Sequence, residues 1–287
     1  MGTPQNKHGK KNKKSMPWII LTIVMLILMV MCVVYIANYY RSRNESEKQY
    51  EELKNQVTSE AFTEGESQPA AESSYSKPTE TAEPTEPLAE NPIDFKELQS
   101  VNDEVYAWIN IPGTKVDYPI AQSASDNSYY LHHTIEGNYL FEGTIYSENY
   151  NSTDFEDPNT VLYGHTMRKN DAMFTSLHSY TDKEFFDSNR TVYIYMPGQV
   201  LEYKIFAAYA YDDRHLMLSF DFEDKTVFKN YLDSIFAVRD MTANIDKTVE
   251  ITENDRMITL STCIDGQDTK RYLVQAVLVQ STPSAAR

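Results

Sequence analysis

Thr259-Leu-Ser-Thr-Cys263, followed by Ile264-Asp-Gly-Gln-Asp-Thr-Lys270 and Arg271-Tyr-Leu-Val-Gln-Ala-Val-Leu-Val279, holds two runs of strand-forming residues on either side of one turn. Period-two alternation and β-branched side chains argue for strands in both runs, and Asp265-Gly266 supplies the turn chemistry between them. A hairpin folded here sets Cys263, at the end of its first strand, beside Arg271, at the start of its second. A thiol next to a guanidinium is in an electropositive setting, which favours thiolate and suits stabilisation of an oxyanion.

Working outward, the residues before this hairpin also read mostly as short strands. Asn91 is placed to cap a helix with Pro92 at its first position and Phe95 and Leu98 on its apolar face. Val105 to Ile111 alternates as a strand closed by Pro112-Gly113, and Val116 to Ala121 is the next. Asp126 to His132 reads as a helical turn, Gly143 to Tyr146 and Thr160 to Tyr163 as strands, and Phe174 to Phe186 as short helical or irregular pieces. Thr191 to Met196 and Leu201 to Tyr211 form a hairpin across Pro197-Gly198. One amphipathic helix stands out, with Phe228, Tyr231, Leu232, Ile235 and Phe236 on a single face. The pattern predicts a mainly β, α+β fold: a mixed-topology β-barrel with helices at its front and one long helix inserted before the cysteine strand, in a single domain over 91–281 with a short tail at 282–287.

The remainder divides by composition. Residues 1–16 form a basic tail carrying Lys7, Lys10, Lys11, Lys13 and Lys14, and 17–40 form one transmembrane helix whose centre, Trp18 to Ala37, is long enough for a bilayer core of ~30 Å. The lysines before it put the amino terminus in the cytoplasm and the body outside the cell, in a single-pass cell-membrane protein. A cleaved signal peptide would have a shorter apolar run and a small-residue cleavage site. Bulky Met29, Val30 and Met31 before Cys32 argue against a lipoprotein. Residues 41–90 hold a juxtamembrane helix, with Tyr50, Leu53 and Val57 at helical spacing, and then a disordered acidic and Pro-rich tether.

Bulk chemistry narrows the function. The formal net charge of −16 argues against binding nucleic-acid phosphates. Only two cysteines exist and Cys32 lies in the apolar run, so neither a disulfide framework nor a cysteine zinc site is available. A cysteine nucleophile needs a base or a cationic neighbour. Outside the basic tail the histidines are His132, His133, His165, His178 and His215. His165, in Leu162-Tyr-Gly-His-Thr-Met167, follows an apolar strand and a glycine, where a strand end presents a side chain; it is either the partner of Cys263 or a hydrogen-bonded surface histidine. The adjacent His132 and His133 lack a carboxylate at ligand spacing, so no metal is expected. Free cysteine is usually a small buried hydrophobe, which leaves a membrane-anchored scaffold and an extracellular thiol protease beside the catalytic reading.

Taken together, Thr259-Leu-Ser-Thr-Cys263, Arg271 and Tyr163-Gly-His165 resemble the signature of the sortases, and Trp108-Ile-Asn-Ile-Pro-Gly-Thr114, Asp117-Tyr-Pro-Ile120, Gln122, Asp126-Asn127 and Tyr130-Leu131 extend the resemblance over the body. The front helix, the Phe228 to Phe236 helix and the Leu-Ser-Thr form of the signature are similar to class B. The resemblance implies a closed eight-stranded barrel and a transpeptidase working without cofactor. In it Cys263 attacks the threonine carbonyl of a sorting signal (LPxTG-, NPxTN- or PPxTG-like) near the carboxyl terminus of an exported protein. Arg271 holds the oxyanion, and His165 serves as general acid and base. An amino group of the peptidoglycan cross-bridge or precursor then resolves the thioester. Asn127, Leu131, Tyr163 and Ser261 match positions that line the family's peptide groove.

Overall fold

A computed structural model describes residues 16–58, 88–167 and 171–285. The basic tail before residue 16, the expected tether between 59 and 87, and the last two residues lie outside them. Two compact units divide between Gln49 and Tyr50. Helix α1 (Met16–Val57) crosses that division, and its part in the first unit carries an apolar stretch, Trp18–Ala37, 20 residues of mean hydropathy 3.2 with its side chains exposed, which by length and composition fits a membrane anchor or a signal.

The second unit is a barrel with helices outside it. Strands β1 (Val105–Asn110), β2 (Asp117–Ala121), β3 (Ile145–Tyr146), β4 (Asn159–Tyr163), β5 (Thr191–Met196), β6 (Gln199–Asp212), β7 (Asn244–Ile245), β8 (Met257–Ile264) and β9 (Gln267–Pro283) form one sheet. Its order is β5-β1-β2-β3-β4-β8-β9-β6-β7, and pairing of β5 with β6 closes eight of these strands on themselves. The two-residue β7 rides on the stretch of β6 that β5 leaves uncovered. Two pairings are parallel, β2 with β3 and β4 with β8. Closure removes exposed sheet edges and gives strands two faces to bury, which is why β8 is buried through Thr262 instead of alternating.

Inside the barrel, Ile109, Ile120, Leu162, Ile194, Ile205, Ile258, Leu260, Val274 and Ala276 pack together. The opposite face of β4, β6, β8 and β9 meets α5 (Lys225–Phe236), where Asp224 caps the helix through the Thr226 and Val227 amides and Phe228, Tyr231, Leu232 and Ile235 are buried. A chain of buried polar groups runs beneath that helix. The Tyr209 hydroxyl donates to Gln275 Oε1, Gln275 Nε2 donates to the Tyr231 hydroxyl and to Thr259 Oγ1, and Thr259 donates to Asn159 Oδ1. Because each polar atom of Gln275 is partnered, the chain ties α5, β4, β6, β8 and β9 together.

Two expectations shift. The front helix, α2 (Phe95–Val101), is capped by Asp94, whose side chain accepts from the Glu97 amide, and not by Asn91. The Asn91 amide is engaged elsewhere, donating to Met196 O and accepting from the Ile93 N–H. The packed body also begins before Asn91. Leu53 and Val57, on the last two turns of α1, are buried against Ile93, Leu98 and Trp108, and the Asp94 amide donates to Val57 O. At the other end, β9 continues to Pro283 and Ser284 is buried against Gly198. The short helices α3 (Lys183–Ser188) and α4 (Leu216–Ser219) complete the body.

Candidate active site

The hairpin that carries Cys263 and Arg271 is built as its residues suggest, with one addition. β8 and β9 pair with Cys263 directly opposite Arg271, but Ile264 pairs with Gln267, so Asp268, Thr269 and Lys270 bulge from one strand. Gly266 takes the positive φ of 72° that the two-residue turn demands. The bulge accounts for the long spacing between cysteine and arginine and still puts the two side chains on one face, where directly opposed Cβ atoms stand about 5 Å apart. Cys263 is exposed at the strand end. Arg271 Nη1 donates to Asp268 O and Lys270 O at 3.1 and 3.0 Å; a guanidinium has five N–H donors, so its capacity exceeds these two acceptors.

β4 lies parallel to β8 with Tyr163 opposite Ser261, the Gly164 amide donates to Ser261 O, and His165 follows just past the strand end. Gly164 is needed here, since a Cβ would come within 2.5 Å of the Ile145 side chain and 2.8 Å of Phe174. The strand ends are laced together: Thr262 Oγ1 donates to Gly164 O, Thr166 Oγ1 to Cys263 O, and His178 Nε2 to Cys263 O at 3.1 Å. Inward residues of these strands fill the barrel core. Outward ones, past the reach of α5, open into a cavity of about 290 Å³ roofed by the segment between β6 and α4.

Cys263, His165 and Arg271 all line this cavity, together with Leu131, Tyr163 and Ser261. Of the residues singled out in the sequence, Asn127 does not; its Oδ1 accepts the Asn149 N–H and so holds the loop after β3. The structure adds groups that no local spacing revealed. His215 also lines the cavity, 2.6 Å from Glu148 Oε2. Arg214 bonds Asp212 and lies over the Tyr211 ring. The only sequence signal for these is Asp212-Asp-Arg-His215, a charged run directly after a long apolar strand.

His165 is held from its far side. Its Nε2 lies 2.9 Å from the Leu131 carbonyl, which can only accept, so Nε2 carries a proton and Nδ1 is the basic nitrogen of the neutral ring. Phe141 and His132 stack against it at centroid distances of 4.9 and 5.3 Å. Burial pulls its pKa below the ordinary histidine value, with the Leu131 bond opposing and His132 adding to the fall. Burial likewise lowers His178 and pushes the Tyr163 phenol up, the latter helped by Glu148. The two neighbouring histidines point to separate partners: His133 stacks on Tyr129 at 4.1 Å and bonds its carbonyl, while His132 faces His165. The arrangement offers a solvent-accessible thiol, a cation directly across from it, a half-buried imidazole just past the end of the adjoining strand and a cleft beside them, the parts an acyl transfer requires.

Comparison with known proteins agrees. A family model described as Sortase domain matches residues 109–279. The chain is similar to Sortase B of Listeria monocytogenes serovar 1/2a (strain ATCC BAA-679 / EGD-e), with 35% identity over 189 residues, 65% of this chain and 74% of that one. Among solved structures it is similar to sortase B from B. anthracis in complex with AAEK1 (TM-score 0.65, 27% identity, 84% of this chain and 99% of that one). It is also similar to a Staphylococcus aureus sortase B–substrate complex (TM-score 0.58, 28% identity, 65% and 84%).

Proposed function

The chain belongs to the sortase family and is a cysteine transpeptidase of the sortase B kind, and from that premise we propose that it cleaves a carboxyl-terminal sorting signal after threonine in exported proteins and joins them to an amino group of peptidoglycan. The observation that carries this reading is the single cavity lined by Cys263, His165 and Arg271 with Leu131, Tyr163 and Ser261. The Cys263 thiol passes its proton to His165 Nδ1 as Sγ attacks the threonine carbonyl carbon, and the oxyanion that develops is stabilised by the Arg271 guanidinium across the hairpin. The tetrahedral intermediate collapses as His165 gives a proton to the leaving amine, which breaks the peptide bond and leaves a thioester on Cys263. The incoming amine attacks that thioester, His165 takes its proton, and the thiolate departs. Leu131, Tyr163 and Ser261 contact the peptide; Asn127 acts through the loop it holds. Anchoring by the apolar part of α1, with the amino terminus cytoplasmic, sets the site on the extracellular face, where both substrates are.

The test uses the full chain in detergent, quenched LPxTG-, NPxTN- and PPxTG-like peptides, and an added amine. Expected is cleavage after threonine with amine-dependent ligation. Hydrolysis indifferent to amine would instead make the protein a thiol protease, and cleavage of none of the peptides would refute the reading.

A further inference from the structure

The last two turns of α1 do more than bury Leu53 and Val57. The Tyr50 hydroxyl donates to Gly143 O at 2.5 Å and lies 3.2 Å from Thr144 Oγ1, its ring meets Tyr118 edge-on at 5.6 Å, and Lys54 pairs with Asp117. The peptide that Tyr50 grips is zippered to the segment that carries Leu131. The Thr144 amide donates to Tyr130 O at 2.9 Å, and Thr144 Oγ1 donates to His133 O at 2.9 Å. Gly143, at φ 59°, comes so close that a Cβ there would sit 2.4 Å from Leu131 O. That carbonyl is the acceptor of His165 Nε2, and Phe141, two residues before Gly143, stacks on the same imidazole. A side chain far upstream in sequence therefore grips a peptide that adjoins the Leu131 carbonyl and lies two residues from Phe141, the two groups that hold the histidine.

We propose that Tyr50 is a positioning residue for His165: by fixing the Gly143–Thr144 peptide, its hydroxyl fixes the Leu131 carbonyl and the Phe141 ring that set the orientation and tautomer of the imidazole. The role rests on His165 being the acid–base group of the proposed reaction. A phenol suits the task because burial pushes its ionisation up, so it remains a donor at any pH at which the protein works. An imidazole held in one tautomer by a fixed partner is the arrangement general acid–base chemistry needs, and small misplacements of such groups are costly.

Full-length protein in detergent, labelled with ¹⁵N-histidine, tests this in Tyr50→Phe, which keeps the ring and removes the hydroxyl. Expected are a single Nε2–H tautomer for His165 in the parent chain, mixed tautomers and a moved titration midpoint in Tyr50→Phe, and kcat lower by roughly tenfold with KM for a sorting peptide little changed. His132, Cys263, Arg271, Asp213, Arg214 and His215, the charged or titratable groups near the ring, are the same in both proteins. Lys54→Met separates positioning from loosening, because it weakens the same helix end and leaves the hydroxyl: Tm should fall with the His165 signals unmoved. Should Tyr50→Phe fail to fold, Thr144→Val removes the second hydroxyl at the same junction and is read identically. Unchanged His165 signals and kcat in Tyr50→Phe would overturn the proposal, as would Lys54→Met moving His165 equally. The NMR arm needs no turnover, so a parent chain inactive on every peptide would refute the transpeptidase reading and leave this one standing or falling by its own spectra.

Discussion

Cys263 and Arg271 face each other because a two-residue turn and a three-residue bulge bring one strand end over the other. Arg271→Ala should slow thioester formation roughly 10²–10³-fold, the worth of an oxyanion donor, with little change in Tm because among the described residues the guanidinium bonds carbonyls of its own bulge; acylation unchanged in a rapid-quench experiment would remove arginine from the mechanism. Two imidazoles, His165 and His178, are held below the ordinary value of 6.5 by burial. The unfolded chain therefore binds more protons than the folded one as pH falls through that range, so their contribution to stability is complete above about 6.5 and is lost below it. Urea midpoints measured at about pH 7.5 and 5.5 should differ less in His178→Gln than in the parent, and an unaltered difference would contradict the assignment. These residues were legible because the information is local: a strand, a turn, a cysteine and an arginine within one hairpin, and a glycine–histidine pair closing another strand. His215, Glu148 and Phe141 were not, because each reaches the site through a contact between segments far apart in sequence.

The elements that carry the site depend on the buried polar chain under α5. Replacing Gln275, fully buried, with leucine strands the Tyr209 and Tyr231 hydroxyls and takes a donor from Thr259. The expected cost is about 1–3 kcal/mol for each stranded group, read as a lower urea midpoint at unchanged m-value; a neutral result would mean that the chain does not hold α5 to the sheet. The amphipathic face of α5 was plain in the sequence, since Phe228, Tyr231, Leu232 and Ile235 recur at helical spacing and are the residues buried. The hairpin β5–β6 was equally plain from Pro197-Gly198, where Gly198 has φ 84°. The parallel pairing of β4 with β8 was not, although it brings histidine to cysteine, because register between distant strands is set by what the barrel can close. The α2 cap was misassigned for a similar reason: Asn91 and Asp94 both suit a cap, and only the contact of Asn91 with Met196 decides between them.

For the molecule as a whole, the compact body starts at Tyr50. The thin stripe of Tyr50, Leu53 and Val57 was visible in the sequence, but the surface it covers is assembled from Ile93, Leu98 and Trp108 and could not be read from the stripe alone. A soluble protein beginning at Asn91 loses that cover, and with burial of a leucine or valine worth about 1.5–3 kcal/mol each, it should melt well below one beginning just before Tyr50. Equal Tm values would show that the helix end is an appendage. Whether Cys263 carries the acyl group between two amines is decided by intact-mass spectrometry of the full chain quenched during reaction with a cleavable sorting peptide in the absence of amine. One adduct is expected, with the mass of the peptide through its threonine, located on Cys263, discharged by added amine and absent in Cys263→Ala. Product formed without such an adduct, or an adduct surviving in Cys263→Ala, would contradict that role.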